Sequence, residues 1–169
     1  MCGIAFSGKT VFSKKLARAS PCVRISLDDI NEKRGLDPCG YLTPEEWTKT
    51  YDEAIGRMET EMARKSTIVV DDSFCLRFLR DKFKSIAERF DYVTVVIFID
   101  VSEKEARRRI EENRIRKTRN DISDSFFSAH VTEFEKPHPD ERVFTFDSET
   151  GTMDDCVASV LVKFLKDTL

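Results

Sequence analysis

The chain has 169 residues, 40% hydrophobic and 35% charged, with a net charge of −3. This is enough chain for one domain with a full core. The acidic balance argues against a general nucleic-acid binder, whose domains are usually basic, and no apolar run is long enough to form a membrane-spanning helix. The five cysteines (Cys2, Cys22, Cys39, Cys75 and Cys156) are scattered and form no C-x-x-C. That pattern argues against structural zinc or a disulfide framework and for reduced thiols in a cytosol. No charged-then-apolar leader is present, so a cytoplasmic protein is expected.

The first element carries the strongest signal. Gly3–Thr10, GIAFSGKT, fits the phosphate-loop pattern G-x-x-x-x-G-K-[ST] at every fixed position. Gly3 and Gly8 let the backbone turn so that successive N–H groups, through Ala5, Phe6, Ser7 and on to Val11, can point at phosphate oxygens. Lys9 supplies a point charge for the β- and γ-phosphates, and the Thr10 hydroxyl suits a Mg²⁺ ion that takes few protein ligands. A helix should begin here, with Val11, Phe12, Leu16 and Ala17 at helical spacing and Ser20-Pro21 as a stop. Its positive N-terminal end adds to the anion site. Only Met1 and Cys2 precede Gly3, so the strand feeding the loop is expected to be a stub, either natively short or lacking upstream residues, and the fold correspondingly less stable.

Farther along, strand and helix alternate. Cys22–Ser26 reads as a short strand leading to Asp28-Asp29, and Glu32–Leu42 as a loop. Thr43-Pro44-Glu45-Glu46 reads as a capping box opening a helix with Trp47, Tyr51, Ala54, Ile55, Met58 and Met62 on one face. Thr67–Val70 is a β-branched apolar strand ending in Asp71-Asp72. Leu76, Leu79, Phe83, Ile86, Ala87 and Phe90 mark a helix, and Tyr92–Ile99 a central strand. Ser102 and Glu105 cap a helix that turns basic, a shorter helix covers roughly Asp124–Glu135, Arg142–Phe146 is a last strand, and Met153–Leu165 closes the chain.

Strands separated by helices predict an α/β fold of three layers, a five-stranded parallel sheet with helices on both faces. One domain over residues 1–169 is expected, without repeats or linkers. Ligands in such folds bind beyond the carboxyl ends of the strands. Both Asp pairs should therefore rise at the rim that carries the phosphate loop. Asp72, or Asp71, sits where a phosphate-loop enzyme keeps its metal-associated carboxylate, and Asp28 one strand over, where a substrate hydroxyl could meet the γ-phosphate. Acidic residues after strands are also ordinary turn formers; it is the intact phosphate loop that favours function here.

GIAFSGKT, ISLDDI, IVVDDSF with Arg80 following, RRRIEENRIRKTR and FEKPHPDE together resemble a family of small P-loop kinases. The family includes polynucleotide 5′-kinase, chloramphenicol phosphotransferase, the zeta toxins and seryl-tRNA kinase. The resemblance covers nearly the whole chain and implies a P-loop NTPase fold using ATP and Mg²⁺. It implies Asp28 as the general base, Asp72 as the metal-associated carboxylate, and Arg80 facing substrate. The lid arginines that clamp phosphate would be Arg109, Arg114 and Arg116, with Arg114 acting beside Lys9 in catalysis. The chain departs from the family at Ala5-Phe6, where many relatives have Pro-Gly, at Phe74, where Asn is common, and at Asn31, where Arg is common.

Residues Arg107–Arg119 contain seven basic residues, read as part of a mobile cationic lid over about residues 107–135, or as a solvated helix with i,i+4 ion pairs. His130 and His138 have no second metal-type ligand beside them and read as core or surface; Trp47, Tyr51, Met58 and Met62 read as core rather than a substrate wall, with Trp47, which begins a helix near the rim, open to either. The expected function is transfer of the ATP γ-phosphate to an alcohol group of a small molecule, with Asp28 and Asp72 near the acceptor. A nucleic-acid or tRNA-linked hydroxyl is the second choice. The alternative from another class is a nucleotide-binding regulatory module without turnover. No membrane partner is expected, and the sequence leaves the oligomeric state open.

Overall fold

The computed structural model describes residues 1–37 and 41–165. The chain opens with the phosphate loop and α1 (Lys9–Ala19), followed by β1 (Val23–Ser26), α2 (Leu27–Lys33) and α3 (Pro44–Ala63). After these come β2 (Ile68–Asp71), α4 (Arg77–Glu88), β3 (Val96–Asp100), α5 (Glu103–Arg116), α6 (Asp124–Glu133), β4 (Val143–Asp147) and α7 (Met153–Phe164). Most expected elements are present within a few residues. The loop expected over Glu32–Leu42 is corrected at its start. Leu27–Lys33 is a helix, N-capped by the Ser26 hydroxyl, which accepts from the Asp29 N–H; Pro38, Cys39 and Gly40 lie outside the described residues. The expected strand over Tyr92–Ile99 starts only at Val96.

β1 pairs in parallel with β2, and β3 with β4. Both faces are covered, and the strands alternate between them. Ile25, Val70, Val96 and Phe98 pack into one cluster with Met58 and Met62 of α3 and Phe83 and Ile86 of α4. Val69, Ile97 and Ile99 pack into another with Phe12 and Leu16 of α1 and Val157 and Val160 of α7. A third cluster joins the phosphate loop to the lid: Phe6 packs with Ala106, Ile110, Ile122 and Phe127.

The expected five-stranded sheet is not formed as such among the described residues. Four strands stand in two pairs, and Met1–Gly3 lies between β2 and β3 with a single bridge, Cys2 to Phe98. The Cys2 N–H donates to the Ile97 carbonyl at 2.8 Å, and the Ile99 N–H donates to the Cys2 carbonyl at 2.9 Å. On the other side the Gly3 N–H donates to the Ser73 carbonyl at 3.1 Å. These residues lack the length to pair along the whole of either neighbour. A cavity of about 270 Å³ lies beside Met1, bordered by Met62, Ile68, Phe83 and Val96.

Arg80 is a correction. It does not face the rim but is buried on α4 at 6% exposure. Its guanidinium donates to both carboxylate oxygens of Glu141 at 2.7 and 3.0 Å, to the Phe74 carbonyl at 2.8 Å and to the Glu135 carbonyl at 3.1 Å. It ties the segment after β2 to the segment before β4. Removing one partner of a buried pair leaves the other charge uncompensated. Arg80→Ala should therefore lose about 3–5 kcal/mol of stability in urea unfolding. An Arg80→Ala protein of unchanged stability would mean that the ion pair does not hold these segments.

Candidate active site

The phosphate loop leaves the sheet through Gly3, at φ 145°, where a Cβ would lie 2.6 Å from the Ile99 carbonyl oxygen. Only glycine permits that approach. Phe6 (φ 62°) and Gly8 (φ 107°) continue the turn in positive-φ conformations, and the Ser7 N–H between them donates back to the Ile4 carbonyl at 3.3 Å. Gly8 is the N-cap of α1 and offers no side-chain cap, and the helix has no acidic residue in its first turn. The first N–H groups of α1 are thus left for an anion. Lys9 is half-buried and donates to the Ile4 carbonyl at 2.7 Å. Desolvation lowers its pKa, against the pull of Asp71 and Asp72.

The two acidic pairs do reach this rim, and their members differ. Asp71 accepts from the Ser13 hydroxyl at 2.6 Å and from Arg24 at 2.6 and 3.1 Å. Arg24 also donates to Asp29 at 2.6 Å. One guanidinium thus commits Asp71 and Asp29 to a structural network. Asp72 is left apart: its carboxylate accepts from the Phe74 N–H at 3.1 Å, and desolvation raises its pKa against the backbone donors of Phe74 and Ser73. Asp28 stands on the first turn of α2 with an exposed edge. Its pKa is pushed up to about 6, by desolvation first and then by Asp72 and Asp71, against Lys9 and Arg119.

The oxygen donors of Thr10 and Asp72 suit Mg²⁺, a hard cation that keeps waters and phosphate oxygens in most of its coordination sphere. Among the described residues no group of three His, Cys, Asp or Glu stands together as a metal site.

The basic segment sorts by partner. Arg109 donates to the carbonyls of Phe6 and Ser7 at 3.2 Å and to the Ser148 carbonyl at 2.7 Å, stapling α5 to the phosphate loop and to the loop after β4. Arg114 is a correction. Its guanidinium is taken by Asp121 at 3.1 Å, Asp124 at 2.8 Å and the Ile122 carbonyl at 3.0 Å, so it ties α5 to the start of α6 rather than reaching for phosphate. Arg119, exposed on the lid, lays its guanidinium on the Phe6 ring of the loop, 4.3 Å from the centroid, and its charge acts on Lys9 and Asp28. Its backbone is held at both ends by Asn113, whose Oδ1 accepts the Arg119 N–H at 3.1 Å and whose amide donates to the Arg119 carbonyl at 3.0 Å. Arg119 escaped the sequence reading because it lies beyond the helix that carried the candidates. Arg109, Arg116 and Arg119, with Phe6, Gly8, Val11 and Met153, line a cleft of about 380 Å³ over the loop, of a size to receive a nucleoside.

The two altered positions have joined the core. Asn31 is fully buried and accepts from the Thr50 hydroxyl at 2.5 Å; Phe74 packs edge-on to Phe83 at 4.9 Å. Trp47 and Tyr51 stack at 5.7 Å and are half-buried, packed against the α3 side of the core. His130 stacks on Phe126 with its Nε2 buried and unpartnered, and burial, then Lys9, holds its pKa down to about 4. His138 is exposed beside Asp140.

A glycine-gated loop on an uncapped helix, below an α/β sheet's carboxyl rim, defines a nucleotide-binding protein of the P-loop NTPase type. The chain belongs to an AAA domain family whose model matches residues 1–137. No curated protein matches it in sequence. Its fold is shared with solved structures of low sequence identity, several of them kinases. They include a gluconokinase from Sinorhizobium meliloti 1021, at TM-score 0.66 and 19% identity over 95% of this chain and 87% of that one. The Mycobacterium tuberculosis APS kinase CysC, in complex with AMPPNP and APS, gives TM-score 0.68 and 12% identity over 95% and 92%. Chaetomium thermophilum Kti12, in complex with ADP-AlF3, gives TM-score 0.66 and 16% identity over 95% of each chain.

Lys9→Ala removes the ammonium and leaves the Ile4 carbonyl without its side-chain donor. Calorimetry should show Mg·ATP affinity lowered by about tenfold or more with the thermal transition retained. Unchanged affinity in a folded variant would contradict the phosphate-loop assignment.

Proposed function

We propose that this protein is an ATP-dependent phosphotransferase that moves the γ-phosphate to an alcohol group of a small molecule in the cytoplasm. The observation that carries the proposal is Asp28: a carboxylate near neutrality, beside Lys9 and free of the network that occupies Asp29 and Asp71. A general base works best with a pKa near the operating pH. The fold shared with P-loop kinases supports the reading, and the acidic balance favours a small acceptor over a nucleic acid. We take residues 1–169 as one domain, with Met1–Gly3 in the place of the fifth, central strand and residues 107–135 as the lid.

The acceptor hydroxyl gives its proton to the Asp28 carboxylate as its oxygen bonds to the γ-phosphorus. The bond from phosphorus to the β–γ bridging oxygen breaks, and ADP leaves. Loop N–H groups over Ala5–Val11 hold the phosphates, apart from that of Ser7, which donates to the Ile4 carbonyl as that of Gly3 does to Ser73, and Lys9 and Arg119 offset charge on the moving phosphoryl group. Thr10 and Asp72 would hold Mg²⁺, which neutralises phosphate charge when bound. Arg109 and Arg116 border the nucleoside cleft. Arg119 thus takes the part expected of Arg114, and Arg80 drops out of the substrate set.

The test is ADP release with Mg·ATP across alcohols, nucleosides, sugars, aminoglycosides and oligonucleotides. Acceptor-dependent release supports the kinase. Tight ATP binding with no release on any acceptor favours a regulatory module, the reading that the burial of Asn31 and Phe74 supports.

Two results should follow for an accepted substrate. Asp28→Asn keeps the shape and loses the basicity, so phosphotransfer should fall by about 10²-fold or more at near-normal ATP affinity. Because the base acts deprotonated and its pKa is about 6, kcat/KM should be full above that value and fall as pH drops through it. A wild-type rate in Asp28→Asn, or a rate flat down to pH 5 (about one unit below that pKa), would remove Asp28 from the role.

A further inference from the structure

The phosphate loop carries one large side chain that phosphate binding does not require. Phe6 sits at φ 62°, a conformation that a bulky L-residue adopts only under strain, and such strain persists where the surroundings over-determine it. The backbone turn directs the ring toward the lid, where it is 7% exposed and packs with Ala106, Ile110, Ile122 and Phe127. On the ring lies the guanidinium of Arg119, its carbon 4.3 Å from the centroid. The rest of Arg119 is held by Asn113 through the backbone, so the ring settles where its charged end points. That charge acts on Lys9 and Asp28.

We infer that Phe6 is a positioning residue: its ring is the platform on which the phosphate loop docks the lid arginine before nucleotide arrives. A leucine would fill the same apolar cluster but offers no π face to a guanidinium. The loop that binds phosphate thereby also sets the resting place of the cation meant for it. The functional consequence rests on the reading of Arg119 as the lid cation proposed above; the docking itself does not.

The test uses full-length protein with Phe6→Leu, Phe6→Tyr, Arg119→Gln and the Phe6→Leu/Arg119→Gln double variant. Two readouts are taken: trypsin cutting after Lys117 without nucleotide, and calorimetric affinity for Mg·AMPPNP. A cation–π contact at an exposed site corresponds to about a two- to fivefold change in an opening equilibrium, and cutting follows that equilibrium. Phe6→Leu should therefore be cut about two- to fivefold faster, Phe6→Tyr at the wild-type rate, and the double variant no faster than Arg119→Gln alone. Wild-type cutting of a folded Phe6→Leu, or additive effects in the double variant, would overturn the inference. Should Phe6→Leu fail to fold, Arg119→Gln decides, since it leaves the core intact: faster cutting supports the docking, and an unchanged rate overturns it. AMPPNP affinity separates the two ideas. If Arg119→Gln speeds cutting but leaves affinity unchanged, the docking stands and the phosphate role of Arg119 falls. If it weakens affinity while cutting is unchanged, the reverse holds.

Discussion

Two backbone hydrogen bonds from Cys2, to Ile97 and from Ile99, hold the phosphate loop against the sheet. Everything at the rim is placed relative to them. They bring Gly3 so close to the Ile99 carbonyl that no side chain fits, and the chain must turn away into the loop at that point. The next N–H, from Gly3, reaches across to Ser73, the residue after Asp72. A three-residue segment therefore fixes the distance between Lys9 and the carboxylates whose charge acts on it.

That placement gathers four carboxylates at the rim about Lys9, and the structure separates them by partner. Arg24 neutralises Asp71, which also accepts from the Ser13 hydroxyl, and Arg24 pairs with Asp29 as well. Asp72 is desolvated, with backbone donors and Tyr51 about it. Asp28 keeps an open edge and no such network, and its proton affinity rises toward neutrality. Similar residues are thus driven to different states by environment, the pattern by which one site supplies separate structural, metal-binding and basic groups. The order of assignment runs from the ion pair outward: once Arg24 is spent on Asp71 and Asp29, the remaining carboxylates are the ones left for chemistry.

The local code was legible wherever it acts within a few residues. The capping box of Thr43 and Glu46 forms as read, and the loop's glycines stand where the pattern put them. The helix over Leu27–Lys33 went unread because it is a single short stretch, with no repeated apolar period to mark it. Long-range pairing was not legible. Nothing near Arg80 in the chain says that Glu141, sixty-one residues on, will take its guanidinium. Likewise Asp121 and Asp124 claim Arg114 through the fold of the lid, and that leaves Arg119 to face the loop. The departures at Asn31 and Phe74 were visible as residues, but their burial against Thr50 and Phe83 depends on α3 and α4 packing over them.

The central claim is that the loop and rim together move a phosphoryl group rather than merely hold a nucleotide. Phosphorus NMR of Mg·ATP with catalytic amounts of the protein and an accepted alcohol follows that group directly. The account predicts that the γ-phosphate signal is replaced by a phosphate monoester of the alcohol, with ADP in equal amount. ATP that remains intact with every alcohol while saturating the protein, or that yields only inorganic phosphate, would contradict it.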